Sequence, residues 1–189
     1  IRQAIQRYDL EHPVVNDRDF AIWNTYGIQS WPTLVLIDPT GHVVGGQAGE
    51  GIYETFDRAI GSVVQKFEAQ IDRKPLKLVL EKENKPKSVL SYPGKITADE
   101  KTGRIFFSDS NHNRIVISQL DGKLIDVVGN GAQGMANGAY DAATFNRPQG
   151  MALVGDVLYV ADTENHLIRS IDLKSKTVAT LAGTGKQAR

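Results

Sequence analysis

Two short polar segments are the first candidates for chemistry in this 189-residue chain. Asp109-Ser110-Asn111 and Asp162-Thr163-Glu164 offer carboxylate, amide and hydroxyl oxygens, which are ligands that Ca²⁺ and Mg²⁺ prefer. Neither segment has the acidic spacing and the glycine of a calcium-binding loop. Aspartate or asparagine at a strand end more often accepts hydrogen bonds from backbone amides. We therefore predict structural roles for both segments and no metal site.

The residue types present also restrict catalysis. The chain has no cysteine, so it has no thiolate nucleophile, no disulfide and no Cys-ligated metal. His112 and His166 have no second histidine nearby to share a metal ion, and we predict that they lie in surface turns. The sequence contains no Ser-His-Asp set, no paired carboxylates and no phosphate-binding loop. We expect neither catalytic residues nor a cofactor in this chain.

Basic and glycine-rich segments are candidates for nucleic-acid or nucleotide sites. A basic face would need Lys95, Arg114, Lys123, Arg147 and Arg169, with Tyr92, Tyr140 and Phe145 as stacking platforms. Acidic residues intervene between these positions, so we predict solvated surface and no nucleic-acid partner. Gly129-Asn130-Gly131 and Gly183-Thr184-Gly185 precede no helix that starts with Lys-Ser/Thr, and are predicted to be turns.

The first part of the chain alternates helical and extended patterns. Apolar spacing predicts helices at 1–8, at 17–26 and at 51–71. The second helix is predicted to be capped by Asn16 or Asp17 and to end at Gly27. Its predicted buried residues are Phe20, Ile22 and Trp23. Strands are predicted at 13–15 and at 31–38, and the nearly continuous apolar run of the latter is typical of burial on both faces. A turn at 38–41 joins that strand to a hairpin partner at 42–44.

Trp31-Pro32-Thr33 stands directly before the strand, the hairpin and the long helix. This order resembles the later part of a thioredoxin-like domain, in which a cis-proline loop precedes an antiparallel strand. The resemblance implies that the Trp31–Pro32 bond is cis and that the loop contacts bound peptides or substrates through its backbone. Trp31, Pro32 and Thr33 are therefore the candidate binding residues. The alternative is that Pro32 only begins a strand, where its missing N–H costs little.

Beyond a charged, proline-containing linker at 73–88, the chain repeats itself with an offset of 53 to 55 residues. Each copy offers four short strands, at 95–98, 105–108, 114–120 and 124–128 and at 150–154, 157–161, 167–172 and 178–182. Four-stranded units at this period are typical of β-propeller blades. The segment 161–169, with its tripeptide Asn165-His166-Leu167, is similar to the NHL repeat.

The whole chain thus resembles the thioredoxin-like, NHL-repeat-containing protein family. The expected fold class is α/β thioredoxin-like, in part, followed by all-β. We predict the later part of a thioredoxin-like domain at 1–72 without its redox helix, a linker at 73–88 with a closing strand around 76–80, and two four-stranded NHL propeller blades at 89–189.

The predicted function is a binding scaffold for a protein or peptide. The alternative is a thiol–disulfide oxidoreductase or redoxin whose cysteine motif lies upstream.

The net charge of zero is the sum of −5 at 1–72 and +5 at 73–189, and neither charge is large enough to indicate a nucleic-acid partner. No run of about 18 apolar residues indicates a membrane helix.

The chain begins with a helical pattern that has no Met and no signal peptide. We expect a fragment that lacks its native N-terminus, with a cytoplasmic location favoured. Open sheet edges favour an oligomer.

Overall fold

The computed structural model describes residues 1–75, 77–84 and 88–187. The chain divides into two compact units, Ile1–Lys85 and Pro86–Arg189. The first unit contains the helices α1 (Arg2–Tyr8), α2 (Ala21–Thr25) and α3 (Tyr53–Lys66) and the strands β1 (Thr33–Ile37) and β2 (Val43–Ala48). Short 3₁₀ turns follow at Glu68–Gln70 and Glu81–Asn84. Of the predicted closing strand, position 76 lies outside the described residues, and 77–80 form no strand.

The predicted hairpin is confirmed, and its turn is held by one carboxylate. β1 and β2 pair antiparallel, and the Gly41 amide donates to the Asp38 carbonyl over 2.9 Å. The Asp38 carboxylate accepts hydrogen bonds from the Thr40 hydroxyl and from the His42 amide. These two bonds hold the pKa of Asp38 below its usual value, since they favour the charged form.

Three predictions for the first unit are wrong in detail. Residues 13–15 form no strand, and Val15 is 70% exposed. The second helix begins at Ala21 rather than near Asp17, because Phe20 adopts a left-handed conformation with φ of 56°. β1 is not buried on both faces, and Leu34 is 48% exposed. Among the described residues β1 pairs only with β2, so its apolar run does not lie inside a larger sheet.

The second unit consists of two antiparallel meanders. The first contains β3 (Ile96–Asp99), β4 (Arg104–Asp109), β5 (Arg114–Gln119) and β6 (Leu124–Val128), each paired with the next. The second meander contains β8 (Pro148–Val154), β9 (Val157–Asp162), β10 (Leu167–Asp172) and β11 (Thr177–Gly183), again paired in chain order. The four predicted strands of each copy are confirmed.

A fifth strand corrects the prediction for the second meander. β7 (Gly138–Ala139) pairs antiparallel with β11 at its outer edge, so the sheet has five strands rather than four. The strands that the sequence predicts for this copy begin only at residue 150. A two-residue strand of glycine and alanine carries no alternating apolar pattern that would reveal it.

The hydrophobic core lies between the two meanders. It includes Phe106, Ile115, Ile117 and Val128 of the first meander, Leu158, Val160, Ile171 and Val178 of the second, and Tyr140, Ala143 and Phe145 of the connection between them. Burial of each large apolar side chain contributes about 1.5–3 kcal/mol. The core therefore joins both copies of the repeat into one unit.

The two meanders present opposite faces to each other. Phe106 and Ile115 lie in the core, whereas the residues 53 positions later, Tyr159 and Ile168, are half-buried and 40% exposed respectively. Conversely, Leu158 lies in the core, and its counterpart Ile105 is only half-buried. The packing is thus head-to-tail, an arrangement that continues in one direction when further copies are added.

Close backbone approach explains the glycine that ends each copy. Gly129 and Gly183 have φ of 99° and 100°, which side chains rarely adopt. A Cβ at Gly183 would lie 2.3 Å from the His166 carbonyl oxygen, and a Cβ at Gly129 would lie 3.1 Å from the Asn113 carbonyl oxygen. The predicted turn role fits Gly129, which lies in the bend after β6, but is wrong for Gly183, which is the last residue of β11 and pairs with Leu167.

Tyr140 provides a test of the core between the meanders. Burial of the phenol, with the charges of Asp126 and Asp172 nearby, raises the pKa of Tyr140 from 10.0 to about 12. The unfolded chain then loses this proton at lower pH than the folded chain, so the free energy of unfolding falls as the pH rises from about 10 to 12. Absorbance titration at about 295 nm of the wild type and of Tyr140→Phe is expected to differ by one step near pH 12. If the two titration curves instead differ by a step near pH 10, the ordinary pKa of tyrosine, the burial of the Tyr140 phenol is contradicted.

Candidate functional site

The predicted binding loop leads directly into β1. The Trp31–Pro32 peptide bond is cis, as the resemblance implies. The Pro32 carbonyl accepts a hydrogen bond from the Gly49 amide over 2.9 Å, just beyond the end of β2. The Thr33 hydroxyl donates to the Ser30 carbonyl over 2.7 Å. The hairpin therefore fixes the position of this loop from both sides.

Three aromatic rings lie beside the loop. The rings of Trp23 and Trp31 are 4.3 Å apart between centroids and tilted by 40°, and Phe20 meets Trp23 edge-to-face at 6.1 Å. Trp31 remains 75% exposed. A large aromatic surface held in place yet open to water is typical of protein interaction sites.

These rings form one wall of an open groove, which we call the Trp31 groove. Its lining residues are Asp17, Phe20, Ile22, Trp23, Ile28, Trp31 and Thr33, and its volume is about 390 Å³. Of the three predicted binding residues, Trp31 and Thr33 line the groove, whereas Pro32 contributes through its backbone. The groove is mainly apolar, with one carboxylate and one hydroxyl in its lining.

The contribution of α2 to this groove is not apparent from the sequence. The sequence predicts Phe20 and Ile22 to be buried, but they are 48% and 45% exposed. The helix has only five residues, and none of them is buried. The Asp17 carboxylate accepts hydrogen bonds from the Ile22 and Trp23 amides at 3.0 and 2.8 Å, which fixes the start of the helix. Of the two predicted caps, Asn16 and Asp17, it is Asp17 that binds the first-turn amides, although Phe20 occupies the N-cap position.

In the second unit, the polar segments first considered as cation ligands are organised around buried carboxylates. Asp109 and Asp162 end β4 and β9 and are fully buried. The Ser91 amide donates to Asp109 Oδ1 over 2.6 Å, and the Asn146 amide donates to Asp162 Oδ1 over 2.7 Å. In both copies the donor belongs to the segment that leads into the first strand of the meander, β3 or β8.

The first of these sites contains a histidine and an arginine. His112 Nδ1 and Arg114 Nε each lie 2.8 Å from Asp109 Oδ2. Arg114 Nη2 also donates to the Val89 carbonyl over 2.8 Å. We call Asp109, His112 and Arg114 the first aspartate network. It ties the incoming segment to the ends of β4 and β5.

The second site repeats this arrangement. Asn165 Nδ2 and Arg169 Nη1 lie 2.8 and 2.9 Å from Asp162 Oδ2, and Arg169 Nη1 also donates to the Thr144 carbonyl. We call Asp162, Asn165 and Arg169 the second aspartate network. Both networks use their carboxylates to bind backbone amides and cationic or amide side chains of the chain itself. The predicted structural role of Asp109 and Asp162 is therefore confirmed.

Arg169 corrects the prediction of a solvated basic surface. Its side chain is fully buried, and its guanidinium lies 5.2 Å from the centre of the Phe145 ring. Arg169 Nη2 donates to the Ala136 carbonyl and to Asn137 Oδ1 at 2.8 and 2.9 Å. The arginine thus anchors the connection between the meanders rather than offering charge to a ligand.

The other candidate residues offer no second site. Tyr140 and Phe145 are buried in the core, so they cannot serve as stacking platforms for bases. His166 ends a 3₁₀ turn in a left-handed conformation. No group of three or more histidine, aspartate or glutamate residues in the described ranges is placed to hold a metal ion. None of the helices in those ranges is long and apolar enough to cross a membrane.

Comparison with known proteins identifies the repeat. Residues 145–169 match the NHL repeat. The chain is 40% identical over 190 residues to NHL repeat-containing protein 2 of Gallus gallus, an alignment that covers 99% of this chain and 26% of that protein. It is 44% identical over 193 residues to Protein SUPPRESSOR OF QUENCHING 1, chloroplastic, of Arabidopsis thaliana, covering 98% of this chain and 18% of that protein.

A solved structure of a Bacteroides thetaiotaomicron protein of unknown function aligns with 59% of this chain and 27% of its own, at 22% identity and a TM-score of 0.46. The chain carries an NHL repeat and is related to NHL repeat-containing protein 2, of which it spans about a quarter of the length.

Replacement of Arg169 tests the second aspartate network. Arg169→Met leaves the Asp162 carboxylate buried without its cation, and we expect the free energy of unfolding to fall by about 3–5 kcal/mol. The double variant Asp162→Asn with Arg169→Met removes both charges, so its loss is expected to be smaller than the sum of the two single losses. Urea unfolding followed by circular dichroism measures all three values.

Lys174→Met is the matched control, because the Lys174–Asp156 pair is exposed, with 79% and 48% of the two side chains accessible. This control is expected to change the free energy of unfolding by about 1 kcal/mol or less. Equal losses for Arg169→Met and Lys174→Met would contradict the importance of the buried pair.

Proposed function

We propose that this chain is a binding scaffold in which NHL-type propeller blades are joined to a thioredoxin-like module, and that the Trp31 groove of this module holds an extended peptide. The observation that carries the proposal is the exposed aromatic wall beside β1. Among the described residues β1 pairs on one side only, with β2. An extended peptide along this wall would place its side chains in the groove.

The element order of the first unit supports the thioredoxin-like part of the proposal. A helix is followed by the cis-proline loop, an antiparallel hairpin and the 14-residue helix α3. In the proposed module, the loop and the hairpin are the rigid parts, and the groove lies beside them. A site whose loop is fixed by hydrogen bonds loses little conformational entropy when a ligand binds.

The head-to-tail packing of the meanders supports the propeller part. Each meander has four strands paired in chain order, and the two copies pack one face against the opposite face of the neighbour. Repetition of this contact generates a ring or a superhelix. The aspartate networks hold the connecting segments in place, so the loops at the sheet ends form a firm surface for a protein partner.

The tryptophans make the peptide proposal directly testable. Trp23 and Trp31 are the two tryptophans of the chain, and both line the groove. Peptides selected from a random display library on the wild-type chain are expected to change the tryptophan fluorescence. Calorimetry is expected to show that Trp31→Ala weakens their binding about tenfold or more, because the exposed ring supplies the main contact area.

Tyr53→Ala serves as the control for this substitution. Tyr53 is as exposed as Trp31, at 75%, but lies on α3 and does not line the groove. Its replacement is expected to leave peptide affinity unchanged. The proposal fails if no peptide is selected, or if Trp31→Ala and Tyr53→Ala weaken binding equally.

The alternative function, thiol–disulfide exchange, is favoured by the cis-proline loop of the proposed thioredoxin-like module. The attacking group in this reaction is a thiolate, and the chain has no cysteine. We therefore expect that this chain does not accelerate the reduction of insulin by dithiothreitol. If the chain accelerates the reduction above the dithiothreitol background, the prediction that this cysteine-free chain is inactive in thiol–disulfide exchange is wrong.

A further inference from the structure

The Trp31 groove lies in the most acidic stretch of the chain. From Tyr8 to Asp57 the sequence contains eight aspartate and glutamate residues, and Arg18 is its single lysine or arginine. Asp17 lines the groove, and Asp19, which is exposed, follows two residues later. The groove is therefore set in a negative field, which attracts cations and disfavours anions.

Asp17 and Asp19, the carboxylates that the inference uses, have no cationic partner within the described part of the chain. Ion pairs in the first unit include those of Arg2 with Glu81, Arg73 with Glu68 and His42 with Asp38. None of them uses Asp17 or Asp19. The two hydrogen bonds that Asp17 accepts come from neutral backbone amides, so Asp17 has no cationic side chain bound to it.

Trp31 adds a second attraction for a cation. One face of its ring packs against Trp23, and the side chain is nevertheless 75% exposed. A guanidinium or ammonium group over an indole face is held by the negative charge of the π-system. The carboxylate of Asp17 and the indole of Trp31 line the same groove, so one cationic side chain in it would be attracted by both.

We propose that the Trp31 groove prefers a peptide segment that carries arginine or lysine. This inference rests on the proposed function, because it names the chemistry of the peptide that the groove would hold. The aliphatic part of an arginine or lysine side chain packs against apolar residues such as Ile22 and Ile28, while the charged end meets the carboxylate. An acidic segment would be repelled from the same place.

The test uses peptides selected from a random display library on the wild-type chain at about 50 mM salt, where charge attraction is weakly screened. The selected peptides are expected to be enriched in arginine and lysine. Resynthesis with citrulline in place of the arginine keeps the shape and removes the charge. This replacement is expected to weaken binding roughly threefold or more, and salt at about 300 mM is expected to weaken the arginine peptide only.

Two variants assign the effect to the groove. Asp19→Asn removes an exposed charge that makes no hydrogen bond or ion pair within the described part of the chain. Asp17→Asn keeps an oxygen acceptor for the helix amides. Both are expected to reduce the ratio of arginine-peptide to citrulline-peptide affinity. Glu54→Gln on α3, outside the groove lining, is expected to leave that ratio unchanged.

The outcomes separate this inference from the proposed function. Peptides that bind and depend on Trp31, but show neither enrichment in basic residues nor loss with citrulline, would overturn the preference for cations and leave peptide binding intact. An absence of any peptide that depends on Trp31 would overturn both. A citrulline effect that persists unchanged in Asp17→Asn and Asp19→Asn would overturn the assignment of the preference to these carboxylates.

Discussion

Each meander of the second unit depends on a buried carboxylate whose charge must be compensated. Removal of Asp109 and Asp162 from water costs several kcal/mol for each ion unless donors replace the lost hydration. Three kinds of donor do so in both copies: a backbone amide of the incoming segment, a side chain of the following 3₁₀ turn, and an arginine of the third strand. Because these donors come from three places in the chain, the carboxylate is satisfied only when the strands have their register and the incoming segment is docked. The network therefore links local turns to the order of the whole sheet.

The same requirement explains which features of the repeat are kept and which vary. The aspartate occupies equivalent positions in the two copies, and so does the glycine that approaches the carbonyl after the 3₁₀ turn. The arginine does not: Arg114 is the first residue of β5, whereas Arg169 is the third residue of β10. Two residues along a strand return to the same face, so both side chains reach the carboxylate. The physical role is thus conserved within the chain although its position in the repeat shifts.

Much of the second unit could be predicted because its strands alternate and its copies share a 53- to 55-residue offset. The burial of Arg169 could not be predicted, since an arginine beside polar residues in the sequence is typical of an exposed position, and its carboxylate partner is known only from the fold.

In the first unit, the hairpin and its turn followed from local residue types at Asp38 and Gly41. The exposure of Leu34 and Phe20 depends instead on which elements pack over them, and apolar patterning carries no such information. For this reason the sequence predicts only part of the groove lining. Trp31 and Thr33 are predicted from a motif, whereas Asp17 and Phe20 line the groove because of where α2 lies.

Amide hydrogen exchange measured by NMR tests the central claim most directly. The Ser91 and Asn146 amides lie outside the strands, yet they donate to buried carboxylates. If the networks hold the meanders together, these two amides exchange as slowly as amides in the central strands β4, β5, β9 and β10, and open only when the sheet itself opens. Exchange as fast as that of amides in exposed turns would show that the incoming segments detach independently, and would contradict the account.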